Sequence, residues 1–315
     1  MGSTKKIIWP IDPANSNQQL DKELRKFIKN LSNQEAIEVY PVCVMGARYA
    51  QVGGYFESYD ESPLKNYLIE DCKKYLKSFD DLPLKDFVLL DNFHTSQSAE
   101  IMIFADYVDQ EKPDFVVMGT HGRKGWSQTF MGSFTESFLE RSRCPVFIIG
   151  PHCDSGSSLK KALMPVEINN SSGRFIESFM DNHLLGFVDE LKLYHKISLV
   201  DYEDISWAPT FYGIADYNNE DVLIQAKKAA ENFLEAYKKH PLSQKRTSYI
   251  VSDSIGSTPE SIQEAAVKES SDFIIMRSLA GPWESRILGS VTKLVIRESK
   301  VPVLVYPCQY KEGDA

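Results

Sequence analysis

Positive charge is in short supply: 35 lysines and arginines stand against 44 aspartates and glutamates, for a net charge of −9 over 315 residues. That balance gives no electrostatic footing for non-specific binding to nucleic acid or for docking on an anionic membrane. Long hydrophobic runs are missing too. Stretches such as FVVM (Phe115 to Met118) and VFIIG (Val146 to Gly150) fall far below the roughly 18 apolar residues a membrane-crossing helix needs. The start, MGSTKKIIWPIDP, meets Asp12 and two prolines too early for a secretory signal. Lys6 stands where the myristoylation pattern needs serine or threonine. The five cysteines (Cys43, Cys72, Cys144, Cys153 and Cys308) form no CxxC pair and are odd in number, and they read as buried or idle cytosolic thiols. The six histidines include no HExxH, so no dedicated metal site is expected. Neither GKS nor GKT occurs, nor GxGxxG, which removes Walker-type NTPases and ordinary dinucleotide-binding folds. A cytoplasmic location is expected.

What is present is a globular composition, 43% hydrophobic and 25% charged, spread over a length suited to two domains of about 150 residues. The organising feature is an internal repeat. KKIIWPIDP (Lys5 to Pro13) returns as KKALMPVEI at Lys160, PDFVVMGTHG returns as SDFIIMRSLA, and SRCPVFIIGP as SKVPVLVYP. The offset stays between 155 and 158 residues throughout. A register held that closely over the full length implies duplication and two domains of one topology. The expected domains are 1–152 and 159–310, joined through the short Ser- and Gly-rich stretch Pro151 to Lys161.

Within the first copy, apolar runs rich in β-formers alternate with segments at helical spacing. Strands are predicted at Ile7–Pro10, Ala36–Val44, Asp86–Leu90, Phe115–Met118 and Val146–Ile149. Leu20, Leu24, Phe27, Ile28 and Leu31 mark a first helix, and Leu64, Leu68, Tyr75, Leu76 and Phe79 a second. Ile101, Phe104, Ala105 and Val108 mark a third, and Phe134, Phe138 and Leu139 a fourth. In the second copy the best helices are Leu223–Tyr237 and Thr258–Glu269, the latter with Thr258 as N-cap and Pro259 in its first turn. Strand–helix alternation with continuously apolar strands predicts an α/β fold: two tandem doubly wound domains, each a five-stranded parallel sheet with helices on both faces.

The stretch MGTHGRKGWSQTFMGSF (Met118 to Phe134) links the fourth strand to its helix. Ligands of open α/β sheets collect at the carboxyl ends of strands. Gly119 and Gly122 would permit close backbone approach. Gly132-Ser133 would bring a helix N-terminus, with its unpaired donors and partial positive charge, toward an anion. Arg123 and Lys124 add charge from the loop. An alternative stands beside this: Ser133-x-x-Glu136 is also a capping box that satisfies the helix without any ligand. The glycines alone do not choose between cradle and cap.

Gly119-x2-Gly122-x9-Gly132-Ser133, after a first strand closing in Pro10-x-Asp12 and with Cys144-Pro145-Val146 entering the last strand, resembles the universal stress protein family. The resemblance covers nearly the whole chain as a tandem pair. It implies ATP or a related adenine nucleotide in the first copy, with Mg²⁺ accompanying a triphosphate. Carried over by position, it implies Asp12 near the ribose and Val42 against the adenine. Gly119 and Gly122 would line the ribose–phosphate path, with Gly132, Ser133, Phe134 and Thr135 at the phosphates. Phe134 is bulkier than the aliphatic residue common there. The resemblance further implies pairing through the last strands, Pro145–Ile149 with Pro302–Tyr306, and association into homo-oligomers. The SGGxDS-type loop of the related ATP pyrophosphatases is absent after the first strand.

The second copy departs from the pattern. Arg277 and Ala280 replace the first two glycines, Glu167 replaces the aspartate, and Lys196 is aligned with Val42, while Gly289-Ser290 survives. An arginine where backbone approach is needed points to a copy that does not bind ATP in the usual way. The remaining reading is a different anionic ligand held by Arg277, Lys196 and Ser290. His121 and His94 read as polar residues of the loops rather than as bases, since no nucleophile or orienting partner stands at a matching spacing. The aromatic insert WAPTFYGIADY (Trp207 to Tyr217) and its counterpart RYAQVGGYFESYD are candidate lids, partner surfaces or packed loops. The expected function is therefore a stress-response role with nucleotide bound in the first copy and at most slow hydrolysis. The alternative is a nucleotide-free scaffold or a carrier of another small ligand.

Overall fold

The computed structural model describes residues 4–45, 62–91, 97–120, 133–156, 158–168, 170–181, 186–197, 219–238, 246–280 and 286–307. Strands and helices alternate along the chain. The first copy contains β1 (Lys5–Pro10), α1 (Gln18–Gln34), β2 (Ile37–Met45), α2 (Ser62–Leu76), β3 (Val88–Asp91), α3 (Gln97–Glu111), β4 (Phe115–Gly119), α4 (Ser133–Leu139) and β5 (Val146–Ile149). The second contains β6 (Lys161–Pro165), α5 (Asn170–Asp181), β7 (Glu190–Lys196), α6 (Asn219–Lys238), β8 (Arg246–Ser252), α7 (Thr258–Lys268), β9 (Phe273–Ala280), β10 (Arg286–Ile287), α8 (Ser290–Glu298) and β11 (Val303–Pro307). By internal contacts the chain divides into two compact units. One comprises Met1–Leu159 with Ile275–Ala315, the other Lys160–Ile274.

In the first unit five strands run parallel in the order β3-β2-β1-β4-β5. The last strand of the second copy, β11, then adds antiparallel to β5, with Leu304 opposite Phe147. Lys293 of α8 meets the carboxylates of Glu136 and Glu140 beside this pairing, the latter at 3.4 Å. In the second unit β7 lies between β6 and β8, all parallel. The first two residues of β9, Phe273 and Ile274, pair with β6. The strands are apolar throughout because both faces of such a sheet are covered. Phe115–Val117 and Val146–Ile149 have no polar member and are all buried.

Helix α1 shows how local sequence sets the packing. Asn17 caps it, its side-chain oxygen accepting from the amides of Gln19 and Leu20 at 3.0 and 3.2 Å. Leu20, Leu24, Phe27, Ile28 and Leu31 then fall on one buried stripe, the spacing a helix on a sheet requires. Phe27 packs on Phe147 of β5 at 4.8 Å between ring centroids, and Phe147 on Phe115 of β4 at 5.3 Å. A second aromatic cluster sets Trp9 of β1 against Phe79 at 4.8 Å and Tyr75 at 6.1 Å. Phe104 of α3 packs against Phe138 of α4 at 4.8 Å.

Tyr75 also donates a 2.7 Å hydrogen bond to Asp21 in the first turn of α1. Burial holds the Asp21 carboxyl above its ordinary range, and the Tyr75 bond pulls it partly back. A carboxyl whose folded pKa is raised supports folding most when protonated, so its contribution falls as pH rises through that window. Tyr75→Phe removes the one favourable hydrogen bond to the ionised form. It is expected to cost about 1 kcal/mol at neutral pH, the low end for a lost charged bond because Asp21 is half-exposed. The loss shrinks toward acid pH, and urea unfolding at several pH values reads it. A loss that does not vary with pH would contradict the ionised-acceptor argument.

One sequence expectation changes. Helix α7 is capped by Ser257 rather than Thr258: Ser257 Oγ accepts from the Glu260 amide, and the Glu260 carboxylate accepts from the Ser257 amide. Thr258 and Pro259 follow inside the first turn, because the residue with the reciprocal Glu three positions on captures the cap. The connection after β5 is a docked segment. Ser155 is fully buried. Asn30 of α1 donates to the carbonyls of Ser155 and Gly156 at 3.0 and 2.8 Å, and Lys26 pairs with Asp154 at 2.5 Å. Ser and Gly composition signalled a connector; the residues of α1 one and two turns apart decide where it lies.

Candidate functional site

The chain places β2 and β3 on one side of β1 and β4 and β5 on the other. The strand order therefore reverses between β1 and β4, the position where open α/β sheets hold ligands, outside the carboxyl ends of the strands. In this register Pro10 lies opposite Val42 and Ile8 opposite Val116. Asp12 leaves β1 and Thr120 leaves β4 four residues beyond that last pair, so the two chains exit at one level.

Asp12 is exposed and opens a single 3-10 turn, Pro13–Asn15. The Asn15 amide donates to the Asp12 carbonyl at 3.0 Å, and the Asn15 side chain donates to Asp12 Oδ2. Proline at the first turn position presets the backbone for this arrangement. Val42 is fully buried and its carbonyl accepts the Ile11 amide at 2.8 Å. Beside it, the Cys43 thiol bonds to Cys72, and that bond together with burial raises it well above the usual thiol range. Cys144 is raised likewise by burial, and Cys153 is pushed up to about 12. Buried thiols in that state are inert, in keeping with their reading as idle.

Gly119 closes β4 for a packing reason. A Cβ added there would lie 2.5 Å from Leu20 Cδ2 and 3.1 Å from Leu20 Cγ, so α1 crosses close over the strand end and a side chain at 119 would have to displace Leu20. The carbonyl of Gly119 accepts a 3.0 Å hydrogen bond from the Thr135 hydroxyl, and Thr135 is buried. Thr135 thus ties the first turn of α4 back to the end of β4, which leaves its amide rather than its hydroxyl for a phosphate role. The second copy repeats the tie: Thr292 Oγ1 donates to the Arg277 carbonyl at 3.4 Å. Phe134 is half-buried, its ring 5.6 Å from that of Phe104, so its bulk is spent in packing. Ser133 is exposed at the first position of α4, and Glu136, the partner it would have in a capping box, pairs with Lys293. Gly122 and Gly132, with His121, Arg123 and Lys124, lie outside the described residues, as do His94 and both aromatic inserts. Asp12 and Gly119 are thus brought to neighbouring strand ends at the switch point, with Val42 inside β2, opposite the last residue of β1. Asn15 was missed, although an Asp-Pro-x-Asn turn in the sequence carried the signal.

The second copy corrects an alignment. Pro165 lies opposite Tyr194, and the Tyr194 carbonyl accepts the Val166 amide at 2.8 Å. By the same bond that marks Val42, the counterpart is Tyr194, not Lys196. Lys196 stands two residues further on, with its ammonium on the Gly256 carbonyl. Repeat offsets read from the flanking strands miss this because the segment between β6 and β7 has its own length. At Arg277 the strand does not stop as β4 does at Gly119. It continues to Ala280, and Leu279 and Ala280 pair antiparallel with Ile287 and Arg286.

Residues 4–150 and 206–307 match the universal stress protein family, well over half of the chain. The chain belongs to that family. Within this universal stress protein, β6, α5 and β7 fall outside the two matched regions, where the second copy has diverged. The chain is similar in fold to a universal stress protein from Archaeoglobus fulgidus DSM 4304, at 18% identity, with 96% of each chain covered and a TM-score of 0.57. A functionally unknown protein from Pseudomonas aeruginosa PAO1 gives 13% identity, coverage of 97% and 93%, and a TM-score of 0.54. A putative universal stress protein from Pseudomonas aeruginosa UCBPP-PA14 gives 13%, coverage of 97% and 94%, and 0.53. No curated protein matches the chain. Among the described residues, no helix is long and apolar enough to cross a membrane, and no group of three or more His, Cys, Asp or Glu is arranged to hold a metal.

Proposed function

We propose that the first copy, residues 1–152, binds ATP or a related adenine nucleotide in a cytoplasmic stress-response role, and that the second, residues 159–310, does not bind it in the same way. The observation that carries the reading is the intact Gly119-x2-Gly122-x9-Gly132-Ser133 spacing following a strand at the point where strand order reverses. In this reading Asp12 accepts from the ribose hydroxyls, Val42 meets the adenine, and Gly119 and Gly122 line the path to the phosphates. The amides from Gly132 through Ser133 and Phe134 to Thr135 hold the phosphates, with Mg²⁺ accompanying a triphosphate. The role is regulatory or protective, with slow hydrolysis at most, since no Walker-type lysine loop stands in the sequence. The β5–β11 pairing supports joining of the two copies through their last strands, and further association of chains into homo-oligomers is part of the same reading.

A second reading, a nucleotide-free scaffold or carrier of another small ligand, draws on one observation: Gly119 and Thr135 each have a packing partner that explains them without ligand. Calorimetric titration of ATP and AMP into the wild type and Gly132→Val separates the two. The nucleotide reading expects about one ATP per chain, and its loss when a branched side chain blocks backbone approach to the phosphates. A wild-type protein that takes up neither nucleotide would leave the scaffold reading standing.

A further inference from the structure

We infer that Asn15 is a positioning residue for the nucleotide ribose: it fixes the Asp12 carboxylate so that the site distinguishes a ribose diol from a sugar lacking it. The inference rests on the nucleotide reading of the first copy. Asp12 is exposed, and an exposed carboxylate on a short side chain turns freely unless something holds it. Asn15 bonds to Asp12 at two points, one on the backbone and one on the carboxylate. Its backbone amide closes the turn on the Asp12 carbonyl at 3.0 Å, and its side-chain amide donates to Asp12 Oδ2.

Asn15 is itself buried, 7% exposed, so its side chain has a fixed direction set by the residues around it. The donor is charge-assisted, the stronger class of hydrogen bond. It bonds to one named oxygen, which restrains the orientation of the carboxylate. Pro13 holds the turn that carries both residues, and the Ile11 amide anchors the approach to the turn on Val42 of β2 at 2.8 Å. The acid that would read the ribose is therefore mounted on the same strand pair as the residue that would meet the base. A pair of vicinal hydroxyls is recognised by an acceptor of fixed orientation, because two donors at set spacing must both find lone pairs. Preorganising that acceptor lowers the ordering cost at the moment of binding.

The test compares ATP with 2′,3′-dideoxy-ATP by calorimetry on the full chain, for the wild type, Asp12→Ala, Asn15→Ala and Asn15→Asp. The wild type is expected to prefer ATP by about tenfold or more, as expected for a charge-assisted bond lost with the hydroxyls. Both Asn15 variants should bring the preference down toward that of Asp12→Ala while leaving 2′,3′-dideoxy-ATP binding within about twofold, since that ligand makes no use of the carboxylate. Asn15→Asp keeps the shape of the buried side chain and replaces the donor with a repelling carboxylate, so it reads the same bond should Asn15→Ala not fold. A merely structural role would weaken both ligands equally and keep the ratio; that result overturns the inference. If Asp12→Ala lowers the preference while both Asn15 variants retain the wild-type ratio, Asn15 has no part and the nucleotide reading stands. If the wild type binds neither ligand, the nucleotide reading fails and this inference with it.

Discussion

Phe147→Ala is expected to lower the stability of the first unit by about 3–5 kcal/mol, the range for emptying a fully buried aromatic site. Phe147 has no exposed surface. Its ring touches Phe27 of α1 and Phe115 of β4 at 4.8 and 5.3 Å between centroids, and its backbone sits between Val117 of β4 and Leu304 of β11. One substitution therefore strips packing from a helix and a strand while the sheet ladder on both sides remains. The rigid ladder prevents collapse into the space left, and that keeps the cavity penalty high. Phe147→Leu restores most of the volume and is expected to cost under about 1.5 kcal/mol. Urea unfolding of both variants decides it, and a Phe147→Ala loss no greater than that of the leucine variant would contradict the account.

Why Phe147 was legible from sequence is instructive. The run CPVFIIG has no polar residue to interrupt it, and a strand covered on both faces has to read that way. The helical stripe of Leu20, Leu24, Phe27, Ile28 and Leu31 was legible for the same reason: burial on one side repeats every three or four residues. The repeat then carried the strand positions into the second copy. What the one-dimensional pattern lacks is any record of which element crosses which. Gly119 looked like a residue kept for a ligand because sequence neighbours suggested a loop. Its nearest obstacle, Leu20, lies a hundred residues away in the chain. The bulk of Phe134 fits either crowding of the site or packing into the core, and Phe104 of another helix receives its ring. The Val42 counterpart in the second copy is not Lys196 because the segment between the first two strands is three residues shorter there, and the strand register, with the Val166–Tyr194 bond, fixes the match. Local bonds are partly visible: the Ser257–Glu260 box stands in the sequence, one residue before Thr258.

The divergence of the second copy follows the same physics. β4 ends at Gly119, over which Leu20 packs, whereas past Arg277 the chain continues as β9 to Ala280 with β10 returning alongside. Thr292 nevertheless still holds the start of α8 to the Arg277 carbonyl, as Thr135 holds α4 to Gly119. The tie between helix and strand is thus present with and without the first two glycines, which marks it as part of the fold rather than of a ligand's grip. Those two positions are where the copies part company, while Gly289-Ser290 matches Gly132-Ser133.

Gly119→Val is expected to destabilise the first unit by about 2–3 kcal/mol, the cost of forcing side-chain volume into a packed site. A Cβ alone would approach Leu20 Cδ2 to 2.5 Å and Cγ to 3.1 Å, so Leu20 cannot yield by rotating its tip alone. Leu20 is buried on the first turn of α1, beside the Asn17 cap that fixes where the helix begins. The strain therefore falls on the placement of α1 over β4, next to Asp12. Leu20→Ala alone leaves a hole and should cost about 2–5 kcal/mol. In the double variant the new valine enters that hole, and the two losses should fall short of their sum by at least about 1 kcal/mol, the coupling expected of residues in contact. Losses that simply add would mean that Leu20 is not what excludes a side chain at position 119. The same pair separates packing from binding. If Gly119 also keeps the backbone open for the nucleotide, the folded double variant shows this coupling yet fails to take up ATP. If packing is its whole purpose, the folded double variant shows the coupling and takes up ATP.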